Sequence, residues 1–137
     1  MSAASHHAKQ SSAGRILIVE DTADTRTLLK AVFEAEGFEV IEAADGIEAV
    51  EVALAELPDA IIMDMSLPKL DGSTAVKLIR REPALRSTPV IACTAFNKWE
   101  WRGKSIVAGC DAFVTKPIDF AQLRAILAQL LARRRAS

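Results

Sequence analysis

Residues 61–72 read Ile-Ile-Met-Asp-Met-Ser-Leu-Pro-Lys-Leu-Asp-Gly, IIMDMSLPKLDG. Three apolar residues run straight into Asp64, and Pro68 and Gly72 turn the chain soon after. A short apolar run closed by turn residues is the pattern of a strand covered on both faces. Asp64 is then aimed at the rim of a core instead of lying on an ordinary surface.

Outward from this stretch the same pattern recurs. DAIIMD (59–64) is joined by RILIVE (15–20), TPVIAC (88–93) and DAFVT (111–115), all read as buried strands. FEVIEA (38–43) alternates and is expected at a sheet edge. Helical spacing fills the intervals. Leu28, Leu29, Val32 and Phe33 form a stripe that Gly37 closes. Ile47, Val50 and Leu54 mark a second helix after Asp45-Gly46, and Ala75, Leu78 and Ile79 a third. A fourth is expected around 97–108, and the last, 119–133, carries Leu123, Ile126, Leu127, Leu130 and Leu131 on one side. The order is (βα)×5 with short connections. Right-handed crossovers turn that into an α/β fold, a doubly wound parallel sheet with helices on both faces.

Composition sets the outer bounds. The chain has 137 residues, half of them hydrophobic and about a quarter charged, which suits one globular domain. A formal net charge of −1 leaves no electrostatic footprint for nucleic acid or an anionic membrane, and no apolar run approaches a membrane span. The start, MSAASHHAKQSSAG, lacks the apolar core of a secretory signal. Residues 1–13 are read as a flexible arm whose His6 and His7 are solvated, 14–134 as the domain, and 135–137 as a tail. Arg133, Arg134 and Arg135 complement a helix C-terminus. Cys93 and Cys110 have no metal-site spacing and read as small hydrophobes in a reducing cytoplasm.

In open parallel sheets, sites form beyond the carboxyl ends of the strands. Here those ends carry Glu20-Asp21, Asp64, Cys93-Thr94 and Thr115-Lys116-Pro117. Each residue alone has a structural reading: Asp21 or Thr22 as a helix cap, Asp64 as a turn former, Thr94 as a β-branched strand end, Lys116 as a surface lysine. Together they place three carboxylates, a hydroxyl and an ammonium on one edge. Clustered carboxylates repel, and burial makes their charges costlier. Hard oxygen ligands with room for water suit Mg²⁺. The lysine and hydroxyl left over suit an anionic group beside it, which adds up to phosphoryl-transfer chemistry.

The segments VED, MDMSLPKLDG, ACTA and VTKPI resemble, in order and spacing, the receiver domain of bacterial two-component response regulators over about residues 14–134. The resemblance implies a flavodoxin-like five-stranded sheet of order 2-1-3-4-5. It implies a phosphoacceptor signalling protein and not an enzyme acting on a separate substrate. Asp64 would take a phosphoryl group from a sensor histidine kinase or a histidine phosphotransfer protein. Asp21 and Asp64 would ligate Mg²⁺ directly, Glu20 through water and Ser66 through its backbone carbonyl, with its side chain free to vary and to modulate the site. Thr94 and Lys116 would contact the phosphoryl oxygens. Phe113 stands at the family's aromatic switch position, paired with Thr94, and Lys116-Pro117 at a bond that is typically cis. Phe96, two residues after Thr94, is expected to overhang the site and slow loss of the phosphate.

The fourth helix, fifth strand and fifth helix form the family's responsive face. Trp99, Trp101 and Phe113 are candidate partner contacts there, and the same face is a candidate homodimer surface. Phosphatases of the haloacid-dehalogenase type also use a strand-end aspartate and Mg²⁺. They need a second aspartate two residues on, where this chain has Ser66. The expectation is therefore a stand-alone cytoplasmic regulator that signals through a downstream target protein. A receiver segment of a hybrid kinase or longer regulator is the alternative.

Overall fold

A computed structural model describes residues 13–95 and 108–136. The expected arm before Ala13, Phe96, Trp99, Trp101 and nearly all of the expected fourth helix lie outside the described residues. The elements run β1 (Arg15–Val19), α1 (Ala23–Ala35), β2 (Glu39–Ala43), α2 (Gly46–Glu56), β3 (Ala60–Asp64), α3 (Gly72–Arg80), a 3-10 turn (Pro83–Leu85), β4 (Val90–Ala95), β5 (Ala112–Lys116) and α4 (Phe120–Ala136). The five strands are parallel, in the order β2-β1-β3-β4-β5.

The continuous apolar runs are explained by two cores, one on each face of this sheet. Successive strand residues point to opposite faces. Leu17, Val19, Ile61, Met63, Val90 and Ala92 enter one core with α2 and α3. Their neighbours Ile16, Ile18, Ile62, Ile91 and Cys93 enter the other with α1 and α4. The central strands therefore have no polar face to alternate with.

Three expectations need correction. β5, at the sheet edge as the expected strand order has it, is less buried than its apolar run predicts: only Val114 of its five residues is buried. It packs on both faces, Phe113 on the α2–α3 core and Val114 on the other, but the side without a neighbouring strand leaves the rest of it partly open. On α2 only Val50 of the expected stripe packs against the core: Ile47 and Leu54 are 47% and 44% exposed, while Gly46, Ala49 and Ala53 face the sheet. Small residues let this helix lie close. A Cβ at Gly46 would sit 1.7 Å from the Leu70 carbonyl oxygen, so no larger residue fits. On α1, Leu29 and Phe33 are buried but Leu28 is 51% exposed. The chain leaves α1 through Gly37 at φ +94°, a left-handed conformation that favours glycine.

Candidate functional site

The ladder sets the positions. Val19 pairs with Met63 and Asp64 with Cys93, so Glu20, Asp64 and Thr94 emerge side by side at the carboxyl edge. All three are nearly buried, at 3%, 3% and 2% exposure, whereas Asp21 is exposed. Lys116 pairs with Ala95 on the edge strand and reaches across β4 to the others. Its Nζ donates to Asp64 Oδ2 at 3.0 Å and lies 3.6 Å from Glu20 Oε1. The Lys116-Pro117 bond is cis.

Each carboxylate has its own environment. Asp64 Oδ1 accepts the Ser66 amide at 2.9 Å, so the turn-forming role considered for Asp64 coexists with its contact to Lys116. Glu20 Oε2 accepts the Thr22 amide at 3.0 Å. Thr22 occupies the cap position of α1 but makes no side-chain cap, and the helix start therefore does not need its hydroxyl. Thr94 Oγ1 donates to the Ala95 carbonyl at 3.1 Å. The Ser66 side chain is exposed. Phe113, opposite Ala92 in the ladder, is half-buried against the α2–α3 core. The structure thus brings Glu20, Asp21, Asp64, Thr94 and Lys116 to one edge, with Ser66 beside them.

Electrostatics follow from this packing. Burial is the main cause that pushes the Glu20 carboxyl above its usual value, and the nearby Asp64 charge adds to it against the opposing Thr22 amide and Lys116. Burial alone would lower the Lys116 pKa. The hydrogen bond and charge of Asp64, then the charge of Glu20, outweigh it and hold that pKa above its usual value. One oxygen from each of Glu20, Asp21 and Asp64 lies within 4.8 Å of the others. Lysine supplies one positive charge against three carboxylates, so the ionised cluster falls two charges short of neutrality. An all-oxygen, doubly negative, half-open cluster fits a hard divalent cation that keeps part of its water shell.

A family profile described as the response regulator receiver domain matches residues 16–128. The chain belongs to that family and is a receiver domain of two-component signalling. The polar-differentiation response regulator DivK of Brucella anthropi is 37% identical over 104 residues, covering 76% of this chain and 85% of DivK. Response regulator PleD of Caulobacter vibrioides is also 37% identical, over 82% of this chain, but the chain spans only 26% of PleD. Among solved structures, the receiver domain of the sensor histidine kinase PA1611 from Pseudomonas aeruginosa PAO1 has a TM-score of 0.81 and 37% identity, covering 87% of this chain and 98% of that one. That structure holds a magnesium ion coordinated in its active-site cleft.

Sequence reading missed one residue of consequence, Arg80. Its guanidinium donates to the carbonyls of Leu85, Arg86, Thr88 and Gly109 and to Asp111 Oδ2, at distances of 2.6 to 3.2 Å. It lies at the opposite edge, where the strands begin. In the sequence it is indistinguishable from its exposed neighbour Arg81.

Proposed function

We propose that this chain is the phosphoacceptor of a two-component relay, with Asp64 as the residue that carries the phosphate. An Asp64 oxygen attacks the phosphorus of a phosphohistidine on a histidine kinase or phosphotransfer protein. The phosphorus–nitrogen bond breaks, the imidazole leaves, and an acyl phosphate forms. Glu20, Asp21 and Asp64, with the Ser66 carbonyl, would hold Mg²⁺, which when bound neutralises charge on the phosphoryl oxygens. Lys116 and Thr94 meet the remaining oxygens, Lys116 by moving from Asp64 to the new phosphate.

The observation that carries this reading is the buried Asp64 carboxylate, held by the Lys116 ammonium at 3.0 Å and grouped with two more carboxylates. Beside it a concavity of about 340 Å³, lined by Thr25, Leu28, Lys116 and Phe120 among others, offers room for the donor's imidazole. No described helix is long and apolar enough to cross a membrane, in keeping with a cytoplasmic relay protein. Output passes by a shift between two conformations, through Thr94 and Phe113, to a downstream protein.

The test is incubation with a small phosphodonor and Mg²⁺, followed by mass measurement. One base-labile phosphate per chain is expected, absent in Asp64→Asn. Uptake by Asp64→Asn at the wild-type rate would overturn the assignment. A second reading, a receiver that shuttles phosphate within a hybrid kinase, draws on the PA1611 receiver, which is as similar as DivK at 37% identity. Rapid return of the phosphate to a histidine phosphotransfer protein would favour it.

A further inference from the structure

Helix α2 turns more apolar surface outward than its packing uses. Ile47, Leu54 and Leu57 are 47%, 44% and 50% exposed, and Val50 is half-buried between them. Positions 47 and 54 share one flank at helical spacing, away from the Gly46, Ala49 and Ala53 face that meets the sheet, and Val50 lies at its margin, packed partly on the core. Leu57 follows at the C-cap with φ +47°, where glycine or asparagine is the relaxed choice. A half-exposed leucine in that conformation is a poor device for folding alone.

The chain that forms this flank carries charge of one sign. No lysine, arginine or histidine occurs between residues 31 and 68. Glu51 lies next to the stripe and Glu48 further round, both exposed, with one Glu48 oxygen also accepting the Ala44 amide at 2.6 Å. The cations at the two ends of α2 are already engaged: Lys69 with Asp45 at 3.4 Å, and Arg15 with both Glu39 and Glu56. Apolar side chains beside uncompensated carboxylates form a surface matched to lysine or arginine flanking a leucine-type stripe.

We propose that this flank of α2 docks a cationic amphipathic helix of a partner protein. The partner's apolar side chains cover Ile47, Val50, Leu54 and Leu57, and its cations face Glu51 and Glu48. A second copy of the chain fits less well, because a two-fold pairing of α2 with itself brings Glu51 of one copy towards Glu51 of the other. The inference stands apart from the phosphoryl chemistry, and neither test depends on the other.

The test titrates the isotope-labelled full chain with a synthetic amphipathic peptide of leucine and lysine, alongside its leucine–glutamate counterpart. Shift changes should cluster at residues 46–57 with the lysine peptide alone. Affinity should fall by about tenfold or more in the double variant Ile47→Ser/Leu54→Ser, which exposes no new core. Glu51→Lys should weaken binding and flatten its salt dependence. Shift changes confined to other surfaces, or equal binding by the double variant or by the glutamate peptide, would overturn the proposal. Sedimentation of the chain alone provides a further check. A concentration-dependent dimer abolished by Leu54→Ser would assign the flank to a second copy and overturn the partner helix.

Discussion

Glu20 and Asp21 are chain neighbours with opposite circumstances. Both oxygens of the buried Glu20 are engaged, one by the Thr22 amide at 3.0 Å and one facing Lys116 at 3.6 Å, while Asp21 is exposed. A direct ligand acts at contact distance and a water-mediated one is screened. Mg²⁺ titrations should therefore show a larger loss of affinity in Asp21→Asn, about tenfold, than in Glu20→Gln. Equal losses would reject the division of labour. The cysteines follow from burial in the same way. Burial is the main cause that pushes both the Cys93 and Cys110 thiols up to about 12. At pH 8 that leaves about a thousandfold less thiolate than an ordinary thiol has, and the thiolate is the reactive form. A thiol reagent should label the native chain very slowly and the urea-unfolded chain at once. Most of the site was legible in the sequence because each member ends an apolar run, so the fold rule alone collected them at one edge. The contacts were not, since nothing local says that Lys116 crosses β4 to reach Asp64.

At the scale of elements, the sequence announces where helices occur better than which way they face. The spacing of Ile47, Val50 and Leu54 is helical, and the helix is there. Its buried side is instead the one where the backbone comes nearest to its neighbour, and small residues mark that poorly. Gly46 is the point of closest approach. Its amide lies 3.5 Å from the Pro68 carbonyl, and Asp45 caps α2 by accepting the Glu48 amide while also pairing with Lys69. The loop that follows Asp64 is thus seated on the N-terminus of α2. In Gly46→Ala the new methyl meets backbone, the Leu70 carbonyl, and not a flexible side chain. Overpacking of this kind costs about 1–3 kcal/mol. A urea titration should show that loss, and uptake from a small phosphodonor should slow because the loop carrying Ser66 is displaced. Wild-type stability in Gly46→Ala would mean the two loops are free to part. β5 is more open than its apolar run suggests for a related reason: a strand at the sheet edge and a central strand can both pack on two faces and share an apolar composition, while only the central one is flanked on both sides.

Across the whole molecule the two edges of the sheet do different work. The carboxyl edge concentrates uncompensated charge, which opposes folding and, in the proposed function, serves phosphoryl transfer. The amino edge is tied by Arg80, whose side chain is 18% exposed and whose guanidinium gathers four carbonyls and the Asp111 carboxylate. These acceptors lie in the stretch 85–88 between α3 and β4 and at 109–111 just before β5, so one side chain ties two segments about twenty residues apart. Asp111 completes the clasp by also accepting the Val90 amide at 2.8 Å. Lysine carries the charge but cannot present donors in a planar fork. Arg80→Lys should therefore leave several buried carbonyls without a donor, at a cost of about 2–4 kcal/mol. The urea midpoint should fall accordingly. Phosphate uptake by the folded fraction should stay at the wild-type rate, because among the described residues the hydrogen bonds of Arg80 all lie at the amino edge. A slower uptake at unchanged stability would instead place Arg80 in the signalling path and dissolve the division between the two edges.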